Sequence, residues 1–277
     1  MPANQDQLDF WNGRMGHEWT VLQERMDANL SAIHDALMPF AAAQAGEAVL
    51  DIGCGTGTTS MALADAVGAQ GRVTGIDISK EMLALARQRG QGRTNLDFLE
   101  LDASQGPFQP EYDLLFSRFG VMFFDDPAAG FTNLHTAVRP GGRIAFACWR
   151  SPPENAWASA PLAAAKPFLP EAPPPDPLAP GPFAFADAGR IENVLTAGGF
   201  RNLHIQKFDG VMDVGRDLDQ AAAFTLRLSP MARIAAELDD PTKARIAEAV
   251  KEAYSRFIRP DGVIAPPLAC WLVAARA

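Results

Sequence analysis

Cysteine is scarce in this 277-residue chain: Cys54, Cys148 and Cys270 stand far apart, and no CxxC spacing offers a zinc or redox pair. They read as thiols of a reducing compartment, so a cytoplasmic protein is expected. Positive charge is also short. Lys and Arg number 24 against 33 Asp and Glu, leaving a net charge of −9, which repels phosphate backbones and anionic membrane surfaces. No nucleic acid and no membrane is therefore expected as a partner. No apolar run reaches membrane-spanning length, and Met1 to Phe10 carries neither a basic nor an apolar leader region. What is abundant is apolar residues, 48% of the chain, enough for one α/β core with an additional cap.

From Ala48 onward, short apolar or β-branched runs alternate with helical patterns. Strands are expected at 48–53, 72–77, 96–102, 112–118 and 143–149, with helices at 58–67, 79–89 and 127–138. This alternation predicts a parallel sheet built from right-handed crossovers. Ser79 can cap the second of these helices; Asp126 followed by Pro127 is a cap with proline in the first turn, and Pro140-Gly141-Gly142 is expected to stop that helix. Residues 151–182 hold eleven of the 22 prolines, too many for a regular element throughout. Phe168, Leu169, Leu178 and Phe183 make an ordered, packed insertion the expectation. A helix at 187–197 closed by Gly198-Gly199, strands at 202–208 and 268–274, and helices at 218–228 and 241–258 complete the chain, and one helix is expected at 19–37. The division is a helical lid at 1–45, a core at 46–150, a proline-rich cap insertion at 151–185, and the rest of the core at 186–277 with a helical cap insertion at 212–262.

The chemistry concentrates in Val49-Leu50-Asp51-Ile52-Gly53-Cys54-Gly55-Thr56-Gly57, a strand running into a glycine-rich turn and a helix. Glycines there permit positive φ and let the backbone approach a ligand at a helix N-terminus. The spacing is G-x-G-x-G, not the G-x-G-x-x-G of dinucleotide sites; a purely structural turn is the alternative. Asp77 ends the second strand, where a carboxylate can accept both ribose hydroxyls, or can simply cap the next helix. Asp102-Ala103 ends the third strand, where a carboxylate could accept the amino group of adenine.

In these motifs the chain resembles the class I S-adenosylmethionine-dependent methyltransferases, in the small-molecule group that includes the ubiquinone and menaquinone C-methyltransferases. The resemblance is strong over 48–149 and looser over 187–277. It implies a Rossmann-like α/β fold: a seven-stranded sheet with its last strand antiparallel, helices on both faces and, here, a helical and proline-rich cap. It implies S-adenosyl-L-methionine as cofactor and S-adenosyl-L-homocysteine as product. By motif, Asp51 and the turn Gly53, Cys54, Gly55, Thr56, Gly57 would surround the methionine moiety, Asp77 would bind ribose, Ile78 would flank adenine, and Asp102 with Ala103 would contact its amino edge. Ser117 and Arg118, ending the fourth strand, would lie near the transferring methyl.

Residues 117–124 carry neither the Asn/Asp-Pro-Pro-aromatic nor the Pro-Cys signature of base-methylating enzymes, which leaves a small-molecule methyl acceptor. Val121 to Phe124 can alternatively be packing residues. No metal is expected, because Asp125 and Asp126 are explained by capping before Pro127. A sulfonium methyl is already activated, so orientation and exclusion of water can carry much of the reaction. If a proton must leave the acceptor, the candidates are His17 in the lid and Arg118; an exposed surface position is the competing reading of His17. Trp11, Trp19 and Trp157 can cover the site, and the apolar cap favours an aromatic or otherwise apolar acceptor. The rival functions are a nicotinamide-dependent oxidoreductase, which the glycine spacing and Asp102 disfavour, and a cofactor-binding protein of this fold without turnover. The sequence leaves the oligomeric state and the acceptor atom open.

Overall fold

The computed structural model describes residues 4–171, 176–228 and 230–277; Pro173, Pro174 and Pro175 of the proline-rich stretch lie outside them. Four helices come first, α1 (Gln5–Asn12), α2 (Arg14–Val21), α3 (Gln23–Asn29) and α4 (Ser31–Ala41). The alternating region follows: β1 (Ala48–Ile52), α5 (Thr58–Val67), β2 (Arg72–Asp77), α6 (Lys80–Arg89), β3 (Leu96–Glu100), β4 (Tyr112–Arg118), α7 (Pro127–Ala137) and β5 (Val138–Trp149). Then come α8 (Ala156–Ala165), α9 (Ala188–Ala197), β6 (Arg201–Val211), α10 (Leu218–Leu228), α11 (Met231–Ala236), α12 (Asp240–Ser255) and β7 (Pro267–Arg276).

The strands form one seven-stranded sheet in the order β3-β2-β1-β4-β5-β7-β6. The first five pair in parallel and β7 runs antiparallel to both neighbours. β1 is buried along its whole length, as a central parallel strand must be when both faces carry helices. On one face the Arg143 guanidinium of β5 donates to the Ala41 and Ala42 carbonyls at the end of α4 and pairs with Glu47. On the other, Phe146 meets Phe131 of α7 and Phe185, and Phe200 beyond α9 closes on Phe131.

The local signals place most boundaries. Ser79, Asp126 and Asp187 each accept a hydrogen bond from the first turn of the helix they precede, which satisfies an otherwise orphaned N–H. Three expectations need correction. The helix expected at 19–37 is broken at Leu22 and Leu30, whose backbones leave the helical region. Neither break has a Gly or Pro; the short middle helix is turned by long-range bonds, Arg25 to the Val214 carbonyl and Asp27 to Thr58 and Arg89. Pro140-Gly141-Gly142 does not precede β5 but lies inside it as a bulge: the register steps from Tyr112↔Val138 to Leu114↔Arg143, and Gly141 takes φ +81°. In the proline-rich insertion, Phe168, Leu169 and Phe183 pack on the core, whereas Leu178 is 60% exposed.

Three outer helices form a cap. Asp239 caps α12, whose Ile246, Val250 and Tyr254 are buried at four-residue steps along one face. The Tyr254 hydroxyl donates to the Trp157 carbonyl of α8 and meets Thr225 of α10 at 3.0 Å. The buried Glu18 of α2 accepts from Arg227 of α10 at 2.8 Å, so the N-terminal helices are tied to this cap. Among the described residues, no helix is long and apolar enough to cross a membrane.

Candidate cofactor cleft

The glycine turn is set by backbone geometry. Gly53, Gly55 and Gly57 all lie at positive φ, +67°, +54° and +84°, where a Cβ is strained. The Gly53 and Cys54 N–H groups donate to the Ile76 carbonyl at 2.9 and 3.0 Å, pinning the exit of β1 to the end of β2. A Cβ on Gly57 would fall 2.8 Å from the Phe98 ring, and one on Gly53 would fall 2.7 Å from the Cα of Gly120.

That second contact joins the ends of β1 and β4. The Ser117 hydroxyl donates to the Ile52 carbonyl at 2.8 Å and accepts from the Gly120 N–H at 3.1 Å. Phe119 between them takes φ +71°, a conformation unusual for a residue with a Cβ, and its ring lies flat on Trp149 at 4.2 Å. The stack holds the strained residue, and the strained residue presents Gly120 to Gly53. Gly120→Ala would set a Cβ 2.6 Å from the Ile52 carbonyl oxygen. We expect a loss of about 1–3 kcal/mol, read as a thermal midpoint several degrees lower, with weakened cofactor binding; an unchanged midpoint would deny the close approach.

Asp77, 8% exposed, is held by two backbone donors: Gly55 N–H to Oδ2 and Ser79 N–H to Oδ1, both at 2.8 Å. The Ile78 backbone also bonds the carboxylate, and the acceptor capacity left over fits a ribose hydroxyl. Burial raises the Asp77 pKa above the usual carboxylate value, partly opposed by these backbone bonds.

Asp51 is fully buried. Its Oδ2 accepts from Thr59 at 2.7 Å and Ser60 at 2.6 Å, while Oδ1 has no partner among the described residues. Burial pushes its pKa up to about 6 against the pull of the two hydroxyls and Arg118. Arg118, 11% exposed at its side chain, stands 3.9 Å from Asp27 and leaves Nη1 buried and unpartnered. One carboxylate oxygen of Asp51 and one guanidinium nitrogen of Arg118, at the ends of adjacent strands, thus lack a partner among the described residues, a pair that fits the ammonium and carboxylate of an amino-acid moiety. Cys54 is buried in the turn, and desolvation pushes its thiol pKa up, which disfavours the nucleophilic thiolate. Thr56 accepts from Arg89 through its carbonyl at 2.7 Å.

The N-terminal helices cover this edge. Asn12 donates to the Ile78 carbonyl at 2.9 Å and accepts from the Lys80 N–H at 3.1 Å; Trp11 packs edge-on against Phe123 at 5.2 Å. Asn4 donates to Asp102 at 3.0 Å, and the Ala103 carbonyl accepts from Asn133 at 3.1 Å. His17 sits elsewhere: it is 60% exposed and bonded to Glu81 at 2.8 Å, joining α2 to α6 on the surface. Sequence reasoning missed Asn4, Asn12, Asp27 and Arg89, because each acts on a residue far along the chain. His34 of α4 has its Nδ1 buried without a described partner, and burial, then the Arg118 charge, lowers its pKa.

A family profile described as a methyltransferase domain matches residues 49–142. The demethylmenaquinone methyltransferase of Oceanobacillus iheyensis is 38% identical over 105 residues, 36% of this chain and 44% of that protein. That of Clavibacter sepedonicus is 35% identical over 145 residues, 50% and 58% of the two chains. The aklanonic acid methyltransferase DauC of a Streptomyces species is 38% identical over 104 residues, 36% and 47% of the two. The chain thus spans about half the length of the curated relatives it matches. In fold, it is similar to the YcgJ protein of Bacillus subtilis, with a TM-score of 0.57, 17% identity and coverage of 88% and 97%. It is similar also to an S-adenosylmethionine-dependent methyltransferase of Mesorhizobium loti, with a TM-score of 0.50, 21% identity and coverage of 88% and 96%. Residues 49–142 thus match a methyltransferase domain, and the chain shares its fold with these solved structures.

Proposed function

We propose that the protein transfers a methyl group from S-adenosylmethionine to a small, aromatic or otherwise apolar metabolite. The observation that carries this reading is an aromatic row beginning at the ends of β4 and β5, beside the glycine cradle. Phe119 stacks on Trp149 at 4.2 Å, Trp149 meets Trp157 at 4.7 Å, and Trp157 meets Phe183 at 6.2 Å. Such a wall suits an apolar ring and offers little to an anionic acceptor.

When bound, the cofactor supplies a methyl already activated by its sulfonium. The chain's own work is then to bind, orient and dry. Asp77 and the glycine turn would hold the nucleoside; Asp51 and Arg118 would hold the amino-acid end. The cap would be built from residues 1–45, 151–185 and 212–262, and would supply the acceptor pocket while keeping water out. The names of the relatives, demethylmenaquinone and aklanonic acid methyltransferase, support a small organic acceptor without specifying one for this chain.

The test is transfer of label. With S-adenosylmethionine carrying a labelled methyl group and a metabolite extract of the source cells, label is expected in an organic-extractable product. Label that stays on the cofactor, in a protein that binds S-adenosylhomocysteine, would show a binding protein without turnover.

A further inference from the structure

β6 ends the strand order and pairs on one side only, with β7. From His204 to Val211 its register against β7 is unbroken, and the strand contains no proline. The ladder fixes which residues turn outward. Just beyond the strand, and in the same register, the Met212 N–H donates to the Pro266 carbonyl at 2.9 Å and the Val214 N–H to the Ile264 carbonyl at 3.0 Å. Backbone direction alternates along an antiparallel strand, so the even-numbered residues of β6 address β7. Ile205, Lys207, Asp209 and Val211 point their N–H and C=O groups away from it, and among the described residues no strand meets that edge. An open edge of this kind is a template for another strand.

Side chains decide which strand fits. Lys207 and Asp209 are both exposed and share one face with Ile205 and Val211. The Lys207 Nζ lies 5.9 Å from the centre of the Trp271 ring; Asp209 accepts from Arg150 at 2.6 Å and keeps 72% of its side chain exposed. A second β6 can be added antiparallel about a twofold axis, which must pass through a residue if outward groups are to face outward groups. An axis at Lys207 or at Asp209 sets like charges directly opposite. One at Gln206 faces Lys207 with Ile205 and Asp209 with Leu203. An axis at Phe208 sets Lys207 opposite the copy's Asp209 and Ile205 opposite the copy's Val211, each twice, with the two Phe208 side chains meeting on the other face. Of the axes through the strand, only this one gives both charges an opposite partner, which is the favourable cross-strand arrangement. The four outward residues of each strand then exchange about eight backbone bonds.

We propose that the protein is a homodimer in which two β6 strands pair antiparallel about Phe208, joining the two sheets into one. A lysine on an open edge deters pairing with strands at large; the copy's Asp209 neutralises it, which makes the edge selective for a second β6. The strand order puts β6 at the far end of the sheet from β2 and β3, so the turn at Gly53 to Gly57 and Asp77 stay clear of the interface. The inference therefore stands apart from the acceptor proposed above.

Sedimentation of the full chain across a hundredfold range of concentration tests it, and the wild type is expected to show a monomer–dimer equilibrium. Lys207→Glu sets carboxylate against carboxylate, and Asp209→Lys sets ammonium against ammonium, so each variant alone should dimerise tenfold or more weakly. Mixed, the two variants should form a heterodimer about as tight as the wild-type dimer, because each strand then opposes the other's charges. Hydrogen exchange of the wild type needs no variant: the Ile205, Lys207, Asp209 and Val211 amides should exchange slowly in the concentrated protein and fast on dilution, with the β1 amides unchanged. A wild type that is monomeric throughout overturns the inference, as do a dimer that neither variant weakens, a mixture that stays monomeric, and edge amides that exchange at one rate across the range. A dimer of this kind in a protein that fails to bind S-adenosylhomocysteine would support the inference and defeat only the cofactor reading.

Discussion

Asp77→Ala is expected to weaken binding of S-adenosylhomocysteine by roughly 2–3 kcal/mol, the upper range for hydrogen bonds to a charged group. This is roughly a 30- to 150-fold rise in Kd. The carboxylate is held by the Gly55 and Ser79 N–H groups at 2.8 Å each, so its free acceptor directions are fixed before any ligand arrives, and little ordering entropy is lost on binding. The sheet should survive the change, because burial already raises the Asp77 pKa and the folded state bears a cost for its charge. Calorimetric titration with a thermal scan on the same sample decides the matter. Normal affinity in a folded variant would mean that Asp77 only ties the glycine turn to β2.

Asp51 should make its presence felt through pH. Its pKa is raised from 3.8 to about 6, chiefly by burial, so between those values the folded protein holds a proton that the unfolded chain has released. Stability attributable to this group therefore falls as pH rises through that window, by about 3 kcal/mol once pH exceeds the folded pKa. Asp51→Asn removes the titration. The stability of the variant minus that of the wild type should be near zero below pH 4 and approach about 3 kcal/mol above pH 6. Ligand binding should run the other way. An ammonium group beside Oδ1 favours the ionised carboxylate, so affinity of the wild type for S-adenosylhomocysteine should rise between pH 5 and 7, and that of the variant should not. Denaturant titrations across pH check the first part, calorimetry the second; a flat stability difference would deny the buried, ionisable state of Asp51.

The local sequence determined the cofactor half of this protein. Helix caps at Ser79, Asp126 and Asp187, the apolar run of β1 and the spacing of Gly53, Gly55 and Gly57 are signals within a few residues of what they specify, and the elements they predict are present. Tertiary structure decided the rest. The bulge in β5 needs the register of β4. The breaks at Leu22 and Leu30 depend on partners at Thr58, Arg89 and Val214. Phe119 at positive φ is held by Trp149, thirty residues on. His17 had the right chemistry in the right segment, yet its side chain lies outside on Glu81, while Asn4 from the same segment reaches Asp102 at the end of β3. Helical period fixes which residues share a face, but the direction in which that face points is set by the packing of α1 and α2 on α6 and the loop after β4. Short-range signals act through bonds and steric limits between neighbours in sequence; the N-terminal helices are held by contacts between residues from about 60 to more than 200 positions apart, and only the folded chain brings those together.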